Sequence, residues 1–292
     1  MNKWPKWTGN FVLLAAIWGA SFLFMRLGAA EFGAVATAFL RVAVASCLML
    51  PVVWGMKLWP DFKAAFPRLL VVGTLNSAVP FVCFSYAVMH INTGLAAVLN
   101  AATPLFGAAV AWIWLKDKPN VSRNIGLVVG FVGVLMLAWG KASFKPGGTG
   151  WAVVACLFAT LCYGVAASYG KRYLQAVPPM VTATGSQLGA SMVLAVPAAY
   201  FWPQTLPGLH AWAALLALAV LCTALAYWLY FKLMAEAGPA RTLSVTFLIP
   251  VFGVLYGSAF LGETISAWMV VCGVVIVVGA ALASGVVKLS RR

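Results

Sequence analysis

Few side chains in this 292-residue sequence can do chemistry, and their types narrow what that chemistry is. Five carboxylates (Glu31, Asp61, Asp117, Glu236, Glu263) and two imidazoles (His90, His210) are the whole supply of ordinary acids, bases and hard metal ligands. All seven fall in loops or at the ends of apolar runs. None forms an H-E-x-x-H pattern or a nucleophile with a base beside it. The six cysteines (Cys47, Cys83, Cys156, Cys162, Cys222, Cys272) lie inside apolar segments without a C-x-x-C pair, so they read as small packing residues. Neither a metal nor an organic cofactor is expected.

What remains is recognition chemistry, set where polar groups are costly. Arg41 lies about nine residues into an apolar run. A centrally placed Arg costs roughly 2.5–3.5 kcal/mol on insertion scales, so it needs a partner or a wet cavity. Its guanidinium can clamp a carboxylate through two parallel hydrogen bonds. Capping nearby backbone carbonyls is the alternative, and Gln187, at the matching place later in the chain, fits either. Asn76, Ser77 and Pro80 share one run, Asn100, Thr103 and Pro104 the next, and Thr246 and Pro250 a third. Each Pro withholds an N–H and frees a carbonyl one turn earlier. The pattern predicts broken or kinked helices flanking a mid-depth binding site, with packing kinks as the plainer alternative. Trp18, Tyr163, Tyr227 and Tyr230 add ring faces with polar tips, suited to stacking on an apolar or aromatic ligand. Tyr86 and Trp228 are weaker candidates of the same kind. Aromatic residues make up 13% of the chain, so many of them simply face lipid.

Composition says which elements hold these positions. The chain is 64% hydrophobic and 8% charged, against about 45–50% and about 25% in soluble domains. That excludes a water-soluble enzyme, a disordered protein and a disulfide scaffold, and leaves an all-α integral membrane protein. Ten apolar runs are predicted as helices near 8–27, 33–55, 68–89, 92–115, 121–140, 151–171, 180–201, 212–232, 240–261 and 266–286. Each approaches the roughly 20 residues that cross a bilayer. No room is left for a separate soluble domain, and the first run is too long for a cleaved leader.

The formal charge of +14 would suggest nucleic acid in a soluble chain, but the basic residues alternate by loop, so no nucleic-acid partner is expected. Of the 19 Lys and Arg, fifteen fall on one side: Lys3, Lys6, Lys57, Lys63, Arg68, Lys116, Lys118, Arg123, Lys171, Arg172, Lys232, Arg241, Lys288, Arg291 and Arg292. Arg26, Lys141 and Lys145 fall on the other. The positive-inside rule then places both termini in the cytoplasm. Tryptophans at run ends, among them Trp54, Trp112, Trp139, Trp202 and Trp268, fit interfacial anchors.

A shift of 146 residues lays the second half on the first. Pro104-Leu-Phe-Gly-Ala falls on Pro250-Val-Phe-Gly-Val, Leu115-Lys-Asp117 on Leu261-Gly-Glu263, Pro51 on Pro197 and Arg41 on Gln187. Trp18-Gly19 matches Tyr163-Gly164 after a one-residue gap. The units are 1–145 and 146–292, with five helices each. An odd number sends the second copy in from the opposite face, so two inverted five-helix repeats are expected to form one transport domain. Gly126-x-x-x-Gly130 and Gly253-x-x-x-Gly257 allow close helix approach. Internal packing is the reading, so a monomer is favoured over a dimer.

Four stretches resemble the EamA-type carriers of the drug/metabolite transporter superfamily. They are Leu14-Ala-Ala-Ile-Trp18-Gly-Ala-Ser21-Phe22 running on to Arg26, Phe39-Leu-Arg41-Val-Ala, Asn92-Thr-Gly-Leu-Ala-Ala leading to Thr103-Pro104, and Phe260-Leu-Gly-Glu263-Thr. The resemblance spans both halves and is greatest to bacterial amino-acid exporters of the YddG type. One departure is Leu115-Lys116-Asp117, where that family usually shows Leu-Gly-Glu. The resemblance implies a multi-pass carrier of the bacterial inner membrane, with the lipid bilayer and a neutral or aromatic amino acid as its partners. Alternating access between the repeats would carry the substrate outward. A zwitterion gains nothing from the membrane potential and no acid sits at mid-depth, so downhill or weakly coupled export is expected. Another metabolite or a drug is the near alternative, and an embedded enzyme or scaffold a distant one.

Overall fold

The computed structural model describes residues 7–139, 144, 148–238 and 242–287, and among them the chain is helical, without strands. Lys3, Trp4, Lys6, Lys141, Lys145, Arg241, Lys288, Arg291 and Arg292, together with the junction between the two halves, lie outside the described residues. The helices are α1 (Thr8–Gly55), α2 (Trp59–Gly73), α3 (Val79–His90), α4 (Thr93–Asn100), α5 (Thr103–Leu115), α6 (Val121–Trp139), α7 (Gly150–Tyr173), α8 (Pro179–Tyr200), α9 (Leu209–Ala219), α10 (Ala226–Ala237), α11 (Ile249–Leu261) and α12 (Ala267–Ala283). Two π-helical segments, Thr74–Ala78 and Val220–Leu225, join α2 to α3 and α9 to α10, and a 3-10 turn, Ser244–Phe247, precedes α11. Seven of the resulting helical segments are long and apolar enough to cross a membrane.

The largest departure from expectation is α1. The sequence predicts two separate runs, 8–27 and 33–55, but helix continues through 28–32 and the 48 residues break only at Gly33, at φ 74° and ψ 169°. A straight helix of that length would measure about 72 Å, more than twice the roughly 30 Å of a hydrocarbon core. The chain therefore folds back at Gly33, which brings the Thr37 methyl against Gly28. Side chains with a Cβ are all but excluded from this backbone region, which costs them about 1–3 kcal/mol. Gly33→Ala is accordingly expected to lower the stability of the purified protein by that amount, read as a fall in thermal midpoint in detergent. An unchanged midpoint would mean that the hairpin is made elsewhere.

Secondary structure recurs at the 146-residue spacing. Helix α5 falls on α11 residue for residue, and each ends on a left-handed residue, Lys116 at φ 58° and Gly262 at φ 64°. The Leu-Gly-Glu pattern thus supplies a glycine where the helix needs positive φ, and Lys116 adopts the same turn at a cost of about 1–2 kcal/mol. The first π segment falls on the second.

Packing crosses between the halves. Gly19 of α1 meets Phe252 and Gly253 of α11, and Gly164 of α7 meets Phe106 and Gly107 of α5, so repeat-related residues make the same contact twice. Gly73 of α2 lies against the backbone of Ser186 and Ala190 in α8. Along the α6–α12 seam, Gly126 and Gly130 face Ala283 and Gly279. Small residues let these backbones approach where water supplies no drive between apolar faces. Both Gly-x-x-x-Gly patterns are occupied inside the protein, since Gly253 faces Ala97 and Gly257 faces Thr93. The main core gathers Phe22, Phe84, Leu99, Leu105, Leu137 and Ile276 from both halves.

Candidate functional site

The three proline signals each fall where regular α-helix is interrupted. Pro80, Pro104 and Pro250 each occupy the first turn of the helix that follows an interruption. Pro104 and Pro250 follow turns, where a first-turn N–H has no intrahelical acceptor and Pro is tolerated, whereas Pro80 follows a π segment inside the continuous helix Trp59–His90. Thr103 Oγ1 donates to the Asn100 carbonyl at 2.7 Å, which satisfies the acceptor that Pro104 leaves without an N–H. The second π segment has no proline beside it, and there Thr223 Oγ1 donates to the Leu218 carbonyl at 3.0 Å.

These interruptions open a cavity of about 360 Å³ between helices of both halves. Nine of the residues singled out from sequence line it: Trp18, Arg41, Asn76, Asn100, Thr103, Tyr163, Tyr227, Tyr230 and Thr246. Its walls are aromatic. Trp18 and Tyr230 have ring centroids 5.7 Å apart, and Tyr163 stacks on Phe84 at 6.2 Å. The half-exposed Leu243 marks a mouth at the end of the bundle that carries Lys171 and Lys232.

Arg41 is 5% exposed. Its Nε donates to Thr223 Oγ1 at 2.9 Å, its Nη1 meets only the Met25 sulfur at 3.7 Å, and its guanidinium carbon lies 3.7 Å over the Phe81 ring. Gln187 makes the repeat-related contact, with Nε2 donating to Ser77 Oγ at 3.0 Å and to Tyr227 Oη at 3.3 Å. Asn76 Nδ2 also donates to Tyr227 Oη, at 3.2 Å. Ser77 and Gln187 therefore stand behind the cavity wall and fix Tyr227.

Two candidates lie outside. Tyr86 is 37% exposed and stacks on His90, with centroids 4.4 Å apart. Trp228 is 51% exposed, beside the Lys232 ammonium. The reason is helical phase: a step of one residue turns a side chain by about 100° and a step of two by about 200°. Trp228 follows Tyr227, and Tyr86 lies two residues past Phe84. Sequence reasoning also missed Ser21, Phe22, Met25, Phe81, Phe84 and Cys222 in the lining, and Thr223 as the Arg41 partner. Applying the 146-residue shift to Asn76 and Ser77 lands on Cys222 and Thr223, so that signal was available.

At the end of the bundle opposite the mouth, two carboxylates hold backbone. Glu263, at the end of its apolar run, accepts from Thr93 N at 2.7 Å, Thr93 Oγ1 at 3.0 Å and Gly94 N at 3.2 Å, and so caps α4 from the other half. Glu31 accepts from Gly208 N at 2.5 Å. At the basic end Asp117 lies 3.7 Å from Arg123 and 3.8 Å from Lys171. Among the described residues no three His, Cys, Asp or Glu side chains gather to hold a metal.

The sequence and the fold have counterparts in known proteins. An uncharacterized transporter of Archaeoglobus fulgidus is 24% identical across 95% of this chain and 99% of its own length. The uncharacterized inner membrane transporter YedA of Escherichia coli K12 is 27% identical across 88% of this chain and 84% of its own. A protein of known crystal structure shares the fold at a TM-score of 0.67, with 17% identity and 96% coverage of both chains. Both of these sequence relatives carry the names of transporters, and the EamA-like transporter family matches residues 6–139 and 150–285. The chain belongs to that family, and is a multi-pass membrane transporter.

Proposed function

We propose that this protein is a secondary carrier of a bacterial inner membrane that exports small metabolites of the size and polarity of neutral amino acids, aromatic ones included. The observation that carries this reading is the 360 Å³ cavity, aromatic-walled, lined from both halves and open at one end. Its volume lies within the ordinary range for small-molecule sites, about 300–1,000 Å³. Trp18, Tyr163 and Tyr230 stack the apolar body, Asn76, Asn100, Thr103, Tyr227 and Thr246 orient polar atoms, and Ser77 and Gln187 position Tyr227.

Ten crossings follow if α1 counts twice about Gly33 and α8 and α12 join the seven apolar segments. They divide into inverted repeats at 1–145 and 146–292. The contacts made twice, Gly19 with α11 and Gly164 with α5, and Arg41 with Thr223 and Gln187 with Ser77, support a two-fold relation. Rocking of one repeat against the other would expose the cavity to each face in turn. With Lys171 and Lys232 at the mouth, the positive-inside rule puts the open end and both termini in the cytoplasm. Both Gly-x-x-x-Gly faces are used internally, which favours a monomer.

Counterflow of labelled phenylalanine or tryptophan into proteoliposomes tests the reading. Saturable uptake is expected, competed by unlabelled neutral amino acids. Trp18→Ala should weaken apparent affinity roughly tenfold, since a ring contact contributes up to about 1.5 kcal/mol. Absence of saturable uptake across the neutral amino acids would remove this substrate class.

A further inference from the structure

The lining of the cavity holds one formal charge among the described residues, and that charge is incompletely partnered. Nε of Arg41 is committed to Thr223, and Nη1 touches a thioether, a weak acceptor. Nη2 makes no hydrogen bond among the described residues, and no carboxylate pairs with the group. The five acids elsewhere are accounted for or remote. Glu263 and Glu31 hold backbone at the end opposite the mouth, Asp117 and Glu236 lie at the basic end, and Asp61 begins α2. A guanidinium buried to 5% exposure in the cavity wall, with Nη2 unpaired and Nη1 against a thioether alone, is a receptor for a planar anion.

We infer that the preferred cargo is an anionic aromatic monocarboxylate, bound end-on by the Arg41 fork with its ring between the Trp18–Tyr230 and Phe84–Tyr163 walls. The inference rests on the carrier reading above and replaces its zwitterionic substrate class with an anionic one. A zwitterion brings an ammonium, for which the lining offers no carboxylate. An amine without a carboxylate meets only the like charge of Arg41. The monoanion neutralises the cavity. It also resolves the coupling: an anion leaving a negative-inside cell runs down the membrane potential, about a 50-fold ratio per 100 mV, with no proton-carrying acid at mid-depth.

The test uses the full chain in proteoliposomes and three probes of one size: 3-phenylpropionate, L-phenylalanine and phenethylamine. Labelled 3-phenylpropionate is expected to show saturable counterflow, inhibited at least tenfold more strongly by itself than by phenylalanine and scarcely by phenethylamine. A valinomycin-imposed potential, negative in the compartment of origin, should speed its exit. Arg41→Gln should lose that preference, and Arg41→Lys should keep anion uptake at reduced affinity. The wild-type ranking stands even if a variant fails to fold. Phenylalanine moved as well as or better than phenylpropionate, or exit indifferent to potential, would overturn the inference and leave the carrier reading intact. Counterflow of none of the three would overturn both.

Discussion

Replacing Gly279 by valine is expected to prevent the protein from reaching a stable, monodisperse form in detergent. A Cβ at this position meets the backbone N and Cα of Gly130, and on the facing helix a Cβ at Gly126 meets the backbone of Ala283. Backbone cannot step aside as a side-chain tip can, so the α6–α12 seam has to open along its length. Overpacking of a core commonly costs about 1–3 kcal/mol, and a branched residue against two backbones belongs at or above the top of that range. Against a total stability of about 5–15 kcal/mol this is a large share. Gly170→Ala, where nothing lies within 4 Å of the new Cβ, is the control and should shift stability by less than about 0.5 kcal/mol. Thermal unfolding followed by size-exclusion recovery reads both. A Gly279→Val protein as stable as its parent would show that the two helices do not meet on their glycines.

The second large effect is expected at Glu263. Its carboxylate accepts from two backbone N–H groups at the start of α4 and from the Thr93 hydroxyl. Hydrogen bonds to a charged group are worth about 1.5–3 kcal/mol, and the helix N-terminus adds a favourable dipole. Glu263→Ala should therefore lower the thermal midpoint. Because the bond joins the two halves at the end opposite the mouth, its loss should also shift the carrier toward opening there. A cysteine placed at Ser21, in a background without the native cysteines, would then label severalfold faster with an impermeant maleimide added from that face. Unchanged labelling together with a lowered midpoint would confine Glu263 to stability and remove it as a latch. Glu263→Gln, which keeps the shape of the side chain without its charge, should fall between the parent and the alanine variant.

Arg41 was legible in the sequence because a charge in an apolar run is anomalous by itself. Its partner was not, because Thr223 lies 182 residues away and nothing local points to it. The repeat supplied more than was first drawn from it: the pairing of Arg41 with Thr223 and of Gln187 with Ser77 is one contact written twice. Tyr86 and Trp228 show the limit. Spans apolar all round carry no face signal, so a mid-helix aromatic residue can be placed by depth but not by direction. The π segment at Val220–Leu225 has no proline to announce it, and the helix across 28–32 has no charge or turn residue strong enough to stop it before Gly33.

Composition and spacing by themselves determined that the chain is a helical membrane protein in two related halves, and which polar residues lie too deep to be idle. Those properties are written in residue type and order, and lipid enforces them because it tolerates few charges and no unpaired backbone. The tertiary structure alone decided which faces meet, that nine candidates share one cavity while two look outward, and that Glu263 caps a helix of the other half. The physical reason is that lipid and protein interior are equally apolar. Helix rotation is therefore set by small-residue contacts and a few long-range hydrogen bonds, which form only once the two halves have packed.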